Sequence, residues 1–229
     1  MDIDGLHIET GGDGSPIVFT HGFARDGRAW DRQVAALAGD HLVVTWDLRG
    51  HGRSEDPPAP YTREDALADL GTVVDRAVAE GGGPAVLVGH SLGGYLSLAY
   101  TLERPETVAG LVLLSTGPGF RNPESMVAYN RGIAKMAAAG NIGTNASEVA
   151  VHRDSMVIDR LSEITCPVVL ISGAEDLPIY QTGAKYLSER LASARLVRID
   201  GAGHEPHLDR PDEVTAAVRA HPVLLGAGR

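Results

Sequence analysis

One serine in this sequence has the neighbours that a reactive hydroxyl requires. Ser91 is the central residue of Gly89-His-Ser-Leu-Gly93. The apolar run at residues 85–88 predicts a buried strand before it, and the apolar residues after it recur at helical spacing. In that setting a Gly-x-Ser-x-Gly pattern places the serine on a tight strand-to-helix turn, with free N–H groups of the helix beside its hydroxyl. This arrangement favours nucleophilic attack by Ser91 on a carbonyl carbon.

A serine hydroxyl needs a general base, and the base needs a carboxylate that orients it. Asp176 and His204 each follow a predicted strand, so a parallel sheet would bring them to the same edge as Ser91. The chain order serine, aspartate, histidine also accompanies this serine motif. We therefore predict that Ser91 is the nucleophile, His204 the base and Asp176 the orienting acid. Glu175 is the alternative acid and His207 the alternative base.

Hydrogen-bond donors are needed where negative charge develops on the attacked carbonyl oxygen. His21-Gly22-Phe23 follows a predicted strand, and Leu92 is the residue directly after the serine. We predict that the backbone N–H groups of Phe23 and Leu92 form this oxyanion hole. An ordinary turn at His21 and Gly22 is the alternative.

Short apolar runs alternate with amphipathic helical patterns along most of the chain. Their nearly continuous apolar character is typical of strands covered on both faces of a mostly parallel sheet. The sequence therefore predicts an α/β fold, with a mostly parallel central sheet flanked by helices. The predicted strands are residues 16–20, 41–46, 85–89, 111–115, 168–172 and 195–199, with residues 6–9 as an opening strand.

Two helices are indicated early in the chain. Apolar residues at helical spacing mark the first at residues 30–37. The second has Thr62 and Asp65 spaced as a capping box, with Leu67 and Leu70 following at helical spacing. We predict that this second helix begins directly after Thr62.

Residues 117–165 interrupt the alternation of strands and helices. They contain two helical patterns separated by residues 140–143, and Asn122 is placed to cap the first. The second pattern predicts a helix from about Ser147 to Leu161. We predict that residues 117–165 form a short helical lid, inserted into a core of residues 1–116 and 166–229. An insertion that only packs against the core is the alternative.

Composition excludes several classes of partner. The 229 residues include 20 basic and 30 acidic side chains, and the formal net charge of −10 argues against a nucleic-acid-binding surface. No segment approaches the roughly 20 apolar residues of a membrane span, and the first residues lack the pattern of a secretory signal. Cys166 is the single cysteine, so no intramolecular disulfide is possible. We expect a cytoplasmic protein that binds neither nucleic acid nor membrane.

The sequence lacks the usual patterns of cofactor-binding sites. Neither a G-x-G-x-x-G pattern after a strand nor a phosphate-binding loop is present. His204 and His207 could share a metal, but Pro206 lies between them and no third ligand is evident. We therefore predict a reaction without metal or organic cofactor, with water as the second substrate.

These motifs together resemble those of the α/β-hydrolase superfamily. The resemblance covers the chain from near its start to about residue 211, and it implies the nucleophile, base, acid and oxyanion-hole roles given above. Because Ser91 stands at the turn, the branches that use a carboxylate nucleophile, similar to haloalkane dehalogenases and epoxide hydrolases, are excluded. The matching segments are residues 21–23, 47–54, 89–94, 173–176 and 201–204.

The predicted activity is hydrolysis of a small carboxylic ester or lactone through an acyl-enzyme. The resemblance also includes enzymes that cleave carbon–carbon bonds in diketone-like compounds and cofactor-free enzymes that make peracids or halogenate. A ligand receptor that keeps the fold is a further alternative, outside enzymes. Turnover that depends on Ser91 separates the enzymes from the receptor.

Overall fold

The computed structural model describes residues 2–56, 61–140 and 144–226. Its centre is an eight-stranded sheet with the strand order β1-β2-β4-β3-β5-β6-β7-β8. Neighbouring strands from β4 to β8 in this order are parallel, whereas β2 is antiparallel to both β4 and β1. The strands are Asp2–Ile3 (β1), Leu6–Gly11 (β2), Pro16–Thr20 (β3), Leu42–Trp46 (β4), Ala85–His90 (β5), Val108–Leu114 (β6), Val168–Gly173 (β7) and Ala194–Ile199 (β8). The predicted mostly parallel sheet and each predicted strand are confirmed.

Helices follow most of the parallel strands. Short 3-10 turns at Gly27–Trp30, Pro105–Thr107, Glu148–Ala150 and Leu161–Glu163 accompany them. The helices are Asp31–Leu37 (α1), Arg63–Gly81 (α2), Leu92–Glu103 (α3), Pro123–Gly140 (α4), Thr144–Ser147 (α5), Met156–Asp159 (α6), Pro178–Arg190 (α7), Pro206–Asp209 (α8), Pro211–Arg219 (α9) and Pro222–Gly226 (α10).

The central strands of the sheet are buried on both faces. Leu87 belongs to one hydrophobic cluster, which includes residues of α2 and α3. Val86 and Val88, its neighbours along β5, belong to a second cluster, which includes residues of α1 and α9. Because successive side chains of a strand point to opposite faces, the sheet lies between two helical layers. This explains the continuous apolar character of the strands.

The predicted start of α2 is confirmed. Thr62 has extended backbone geometry, and its own N–H donates to the Asp65 carboxylate at 2.7 Å. The Asp65 N–H in turn donates to the Thr62 hydroxyl, which completes the capping box. Gly82 ends the helix with a φ of +73°, a conformation that a side chain would disfavour.

The segment between β6 and β7 contains one long helix. Helix α4 begins as predicted, because the Asn122 side chain accepts the Ser125 N–H at 2.9 Å. The predicted second helix over residues 147–161 is wrong. Residues 151–155 have no regular structure, and only the short elements α5 and α6 flank them with 3-10 turns. The predicted connection covers residues 140–143, and residues 141–143 of it lie outside the described ranges.

Contacts across the segment explain why the second helix is broken. The Asn130 amide accepts the His152 N–H at 3.0 Å and donates to the His152 carbonyl at 2.8 Å. The Asp154 carboxylate accepts the Met156 N–H at 3.0 Å and so begins a new helical turn. Bonds from distant side chains therefore satisfy backbone groups that a continuous helix would have paired internally.

Replacing Asn130 tests this explanation. Asn130→Ala removes both bonds to the buried His152 backbone and is expected to lower the free energy of unfolding by about 1 kcal/mol or more. Urea unfolding measures the change. The control Lys135→Ala, at an exposed position of the same helix, is expected to stay within about 0.5 kcal/mol of the unmodified protein. Equal stability of the two variants would contradict the proposed role of Asn130.

Candidate active site

The turn between β5 and α3 holds Ser91 in a strained backbone conformation. Its φ is +50° and its ψ is −110°, values that residues with a side chain rarely adopt. A Cβ on Gly89 would lie 2.4 Å from the Gly93 carbonyl oxygen, and a Cβ on Gly93 would lie 2.2 Å from the Thr20 carbonyl oxygen. Only glycine therefore fits at positions 89 and 93. The turn directs the Ser91 hydroxyl away from the sheet and into a cavity.

The structure brings Ser91, His204 and Asp176 together. The Ser91 Oγ lies 3.1 Å from His204 Nε2, and His204 Nδ1 lies 3.0 Å from Asp176 Oδ1. Because an ionised carboxylate only accepts, Nδ1 carries the proton and the Nε2 lone pair faces the serine hydroxyl. The Asp176 side chain is fully buried, whereas 32% of the His204 side chain is exposed. This geometry lets the imidazole accept the serine proton.

The alternative acid and base lie elsewhere. Glu175 is exposed to solvent, one residue before the buried Asp176. His207 is buried and stacks on Trp30, with ring centroids 4.4 Å apart. Its two ring nitrogens have no hydrogen-bond partner within the described chain. His207 therefore packs beneath the site and does not face Ser91.

Both predicted oxyanion-hole residues flank the serine turn. A Cβ on Gly22 would lie 2.5 Å from the His90 Nδ1 atom and 3.4 Å from the Ser91 Cβ, so the loop after β3 packs directly on the turn. Phe23 is the next residue in this loop. Leu92 is the first residue of α3, where a backbone N–H has no partner inside the helix. Their action as donors stays a prediction.

The loop after β4 supports the loop after β3. The Asp47 carboxylate accepts the Gly27 N–H at 2.6 Å and the Arg53 N–H at 2.8 Å. The Leu48 N–H donates to His21 Nε2 at 2.9 Å. Since Asp47 and His21 are both buried, these bonds fix residues on both sides of Phe23, His21 before it and Gly27 after it. Their role is therefore structural.

Two cavities meet at Ser91. We call the cavity of about 70 Å³, which Tyr95, Phe120 and His152 line, the inner chamber. We call the cavity of about 220 Å³, which Met136 and His204 line, the outer chamber. A substrate bound across both would place its centre against the serine hydroxyl.

Comparisons with known proteins agree with this geometry. A family model described as the alpha/beta hydrolase fold matches residues 15–165. The chain belongs to the α/β-hydrolase fold family. The pimeloyl-[acyl-carrier protein] methyl ester esterase of Nitrosomonas europaea is 26% identical, over 94% of this chain and 98% of the relative.

Solved structures are also similar to this α/β-hydrolase. A thermophilic esterase from Thermogutta terrifontis, with malate bound, matches with a TM-score of 0.83 and 24% identity, over 98% of this chain and 94% of that one. Est816, described as an N-acyl homoserine lactone degrading enzyme, matches with a TM-score of 0.73 and 26% identity, over 95% of this chain and 98% of that one. The family and these relatives support a hydrolase.

Several residues of the site escaped the sequence analysis. The Tyr180 ring packs on the His204 ring with centroids 4.1 Å apart, and Tyr180 lines both cavities together with Ser91 and Tyr129. The His90 Nε2 donates to the His204 carbonyl oxygen at 2.9 Å. In the sequence, a tyrosine or histidine within an apolar helix or strand is typical of an ordinary packing residue. The one sequence signal that could have identified His90 is its position directly beside Ser91.

Burial keeps the histidines beneath His204 neutral. Loss of solvation lowers the pKa of His90 well below its ordinary value, and nearby histidines lower it further. Burial likewise lowers the pKa of His207 to about 3. Neither ring therefore adds positive charge beside the base near neutral pH.

One group of described residues has metal-ligand types in reach of each other. The ligand atoms of His90, Glu205 and His207 lie within 4.8 Å of one another. The Glu205 carboxylate, however, already pairs with the Arg25 guanidinium at 2.5 and 2.6 Å. Both oxygens of the Glu205 carboxylate are therefore engaged by Arg25, and we assign the group a packing role.

Within the described ranges, no helix has the length and apolarity to cross a membrane.

The neutral His207 predicts how stability depends on pH. The folded state keeps this ring uncharged down to about pH 3, whereas the unfolded chain binds a proton below its ordinary pKa of 6.5. Falling pH therefore favours unfolding between these values, by up to about 1.4 kcal/mol per pH unit for one group. His207→Phe keeps an aromatic ring on Trp30 and removes this titration.

Urea unfolding of both proteins from pH 7 to pH 4 measures the effect. The unfolding free energy of the variant is expected to fall less steeply with decreasing pH than that of the unmodified protein. Parallel curves would show that His207 is not held neutral by burial.

Proposed function

We propose that this α/β-hydrolase is a serine hydrolase that cleaves a small carboxylic ester or lactone through an acyl-enzyme. The observation that carries the proposal is the continuous hydrogen-bond chain from Ser91 through His204 to the buried Asp176. The Ser91 end of this series of hydrogen bonds lies at a cavity, where a substrate carbonyl can reach the serine hydroxyl. In this proposal the three residues are nucleophile, base and orienting acid.

Acylation begins with transfer of the Ser91 proton to His204 Nε2. The Oγ forms a bond to the carbonyl carbon as the carbonyl π bond opens, which gives a tetrahedral intermediate with a negative oxygen. When the intermediate collapses, the bond to the leaving oxygen breaks and His204 returns the proton to that oxygen. Asp176 holds the imidazole tautomer and stabilises its positive charge.

Deacylation repeats these steps with water. His204 removes a proton from water, and the hydroxyl oxygen attacks the acyl carbon of the Ser91 ester. The bond to Oγ breaks, the proton passes to Oγ, and the carboxylic acid leaves. In this mechanism the backbone N–H groups of Phe23 and Leu92 stabilise the negative oxygen in both halves of the reaction.

The size of the cavities supports a small substrate. Their volumes of about 70 and 220 Å³ together reach only the lower end of the range of roughly 300–1,000 Å³ typical of sites for drug-sized ligands. Tyr129, Ile133 and Met136 of α4 line these cavities, so the segment over residues 117–165 covers the serine. We propose that this segment is the lid of the site. The similarity to a methyl ester esterase and to an N-acyl homoserine lactone degrading enzyme supports this substrate class.

Removing the nucleophile tests the proposal. Ser91→Ala is expected to lower the turnover of a short-chain aryl ester by about 10³-fold or more, as for other triad serines. Initial rates with purified protein measure it, and circular dichroism confirms that the variant is folded. Ser125→Ala, at an exposed serine outside the cavities, is the matched control and is expected to keep full activity.

Retained turnover in pure Ser91→Ala would reject Ser91 as the nucleophile. Loss of activity in both serine variants would mean that the assay reports damage to the protein and not a role of Ser91. Specific ligand binding by a protein that turns over no ester would favour the receptor alternative.

A further inference from the structure

We infer that the two chambers at Ser91 bind the two halves of an ester in one fixed orientation. The acyl group enters the inner chamber, the leaving alcohol lies in the outer chamber, and Phe120 with Ile179 limits the length of the acyl chain. This inference rests on the proposed ester hydrolysis and names the substrates that the site accepts.

Two tyrosines separate the chambers. Tyr129 and Tyr180 line both cavities, as does Ser91. The Tyr129 ring packs against Phe120 and His152 with centroids 5.2 and 5.0 Å away, and the Tyr180 ring packs on His204 at 4.1 Å. Burial raises the pKa of both tyrosines, so their hydroxyls stay protonated near neutral pH. These ring contacts hold the tyrosine pair in place as a partition beside the nucleophile.

The position of His204 decides which chamber takes the alcohol. To return a proton, its Nε2 must lie within hydrogen-bond distance of the leaving oxygen. Among the described residues, His204 lines the outer chamber and does not line the inner one. The leaving oxygen therefore lies on the outer side of the carbonyl carbon. The acyl chain, on the opposite side of that carbon, extends into the inner chamber.

The same orientation suits the second half-reaction. Departure of the alcohol empties the outer chamber while the acyl group stays in the inner one. The water that His204 activates can then occupy the place of the alcohol, on the correct side of the acyl carbon.

The inner chamber holds only a short acyl chain. A volume of about 70 Å³ corresponds to roughly five water-sized groups, at about 10–15 Å³ for each. Aromatic rings form much of its wall, and burial lowers the pKa of His152 to about 4, so this ring is neutral. A charged acyl group would lose its solvation there without a partner of opposite charge. Short, uncharged acyl groups are therefore the substrates that fit.

Phe120 and Ile179 close the end of the inner chamber. Both residues also line an apolar groove of about 360 Å³, so they supply the large side chains of the wall between the two spaces, which Pro118, Gly119 and Gly183 complete. The Phe120 ring packs on Tyr129 at 5.2 Å and against His152 at 5.3 Å, which holds it in place. Removing this ring would join the inner chamber to the groove and admit a longer chain.

An ester series with one leaving group tests the length limit. The unmodified protein is assayed with p-nitrophenyl acetate, butanoate and octanoate, and kcat/KM is expected to fall by at least about tenfold from butanoate to octanoate. Phe120→Ala is expected to raise the octanoate-to-acetate ratio of kcat/KM by at least about tenfold. Ile179→Ala opens the same wall at an exposed position and is expected to shift the ratio in the same direction.

The matched control lies in the outer chamber. Met136→Ala is expected to leave the acyl-chain ratio unchanged and to alter the preference among acetate esters of ethanol, butanol and octanol. If Met136→Ala shifts the acyl ratio while Phe120→Ala and Ile179→Ala do not, the orientation is reversed. A flat acyl-chain profile in the unmodified protein overturns the length limit.

Failure of the proposed function is a different outcome. In that case the unmodified protein turns over none of the esters, or Ser91→Ala retains the turnover. Ester turnover that depends on Ser91 but shows no chain-length limit overturns only the assignment of the chambers.

Discussion

The strained backbone of Ser91 is the constraint on which the rest of the site depends. A φ of +50° in a residue with a side chain costs about 1–3 kcal/mol, and surrounding contacts must hold it. The Ser91 N–H donates to the Leu114 carbonyl at 2.9 Å, and the Thr116 hydroxyl donates to the Ser91 carbonyl at 2.7 Å. Glycines 22, 89 and 93 provide the close approaches of backbone that lock the turn in place. The parallel sheet supplies those contacts, since three neighbouring strands end at this turn.

The same strand ends bring together the chemistry of the site. Asp176 follows β7 and His204 follows β8, so both reach the edge at which Ser91 follows β5. The Asp176 side chain is fully buried, whereas the His204 side chain is partly exposed. The imidazole is held at Nδ1 by the carboxylate, at its ring face by Tyr180 and at its backbone carbonyl by His90. Such support leaves one lone pair free to act on the serine proton.

Local signals made much of this predictable. The capping box at Thr62, the apolar strands and the Gly-x-Ser-x-Gly turn depend on residues close in sequence, and the structure has each of them. The prediction of a helix over residues 147–161 was wrong because side chains from distant elements hold that segment. Asn130 accepts a hydrogen bond from the His152 N–H, and Arg63 pairs with Asp154. The partition by Tyr129 and Tyr180 was not predicted for the same reason, since the two residues belong to elements far apart in sequence and line the same cavities only in the folded chain. The roles of the site residues in catalysis stay predictions.

Covalent labelling with a fluorophosphonate, followed by peptide mass mapping, tests the central claim most directly. The reagent reacts only with a serine whose proton is removed and whose negative intermediate is stabilised. We expect label on the peptide that contains Ser91, at a rate that falls by about 10³-fold or more in His204→Ala. Label on a different residue, or equal labelling of Ser91 in the variant, would contradict it.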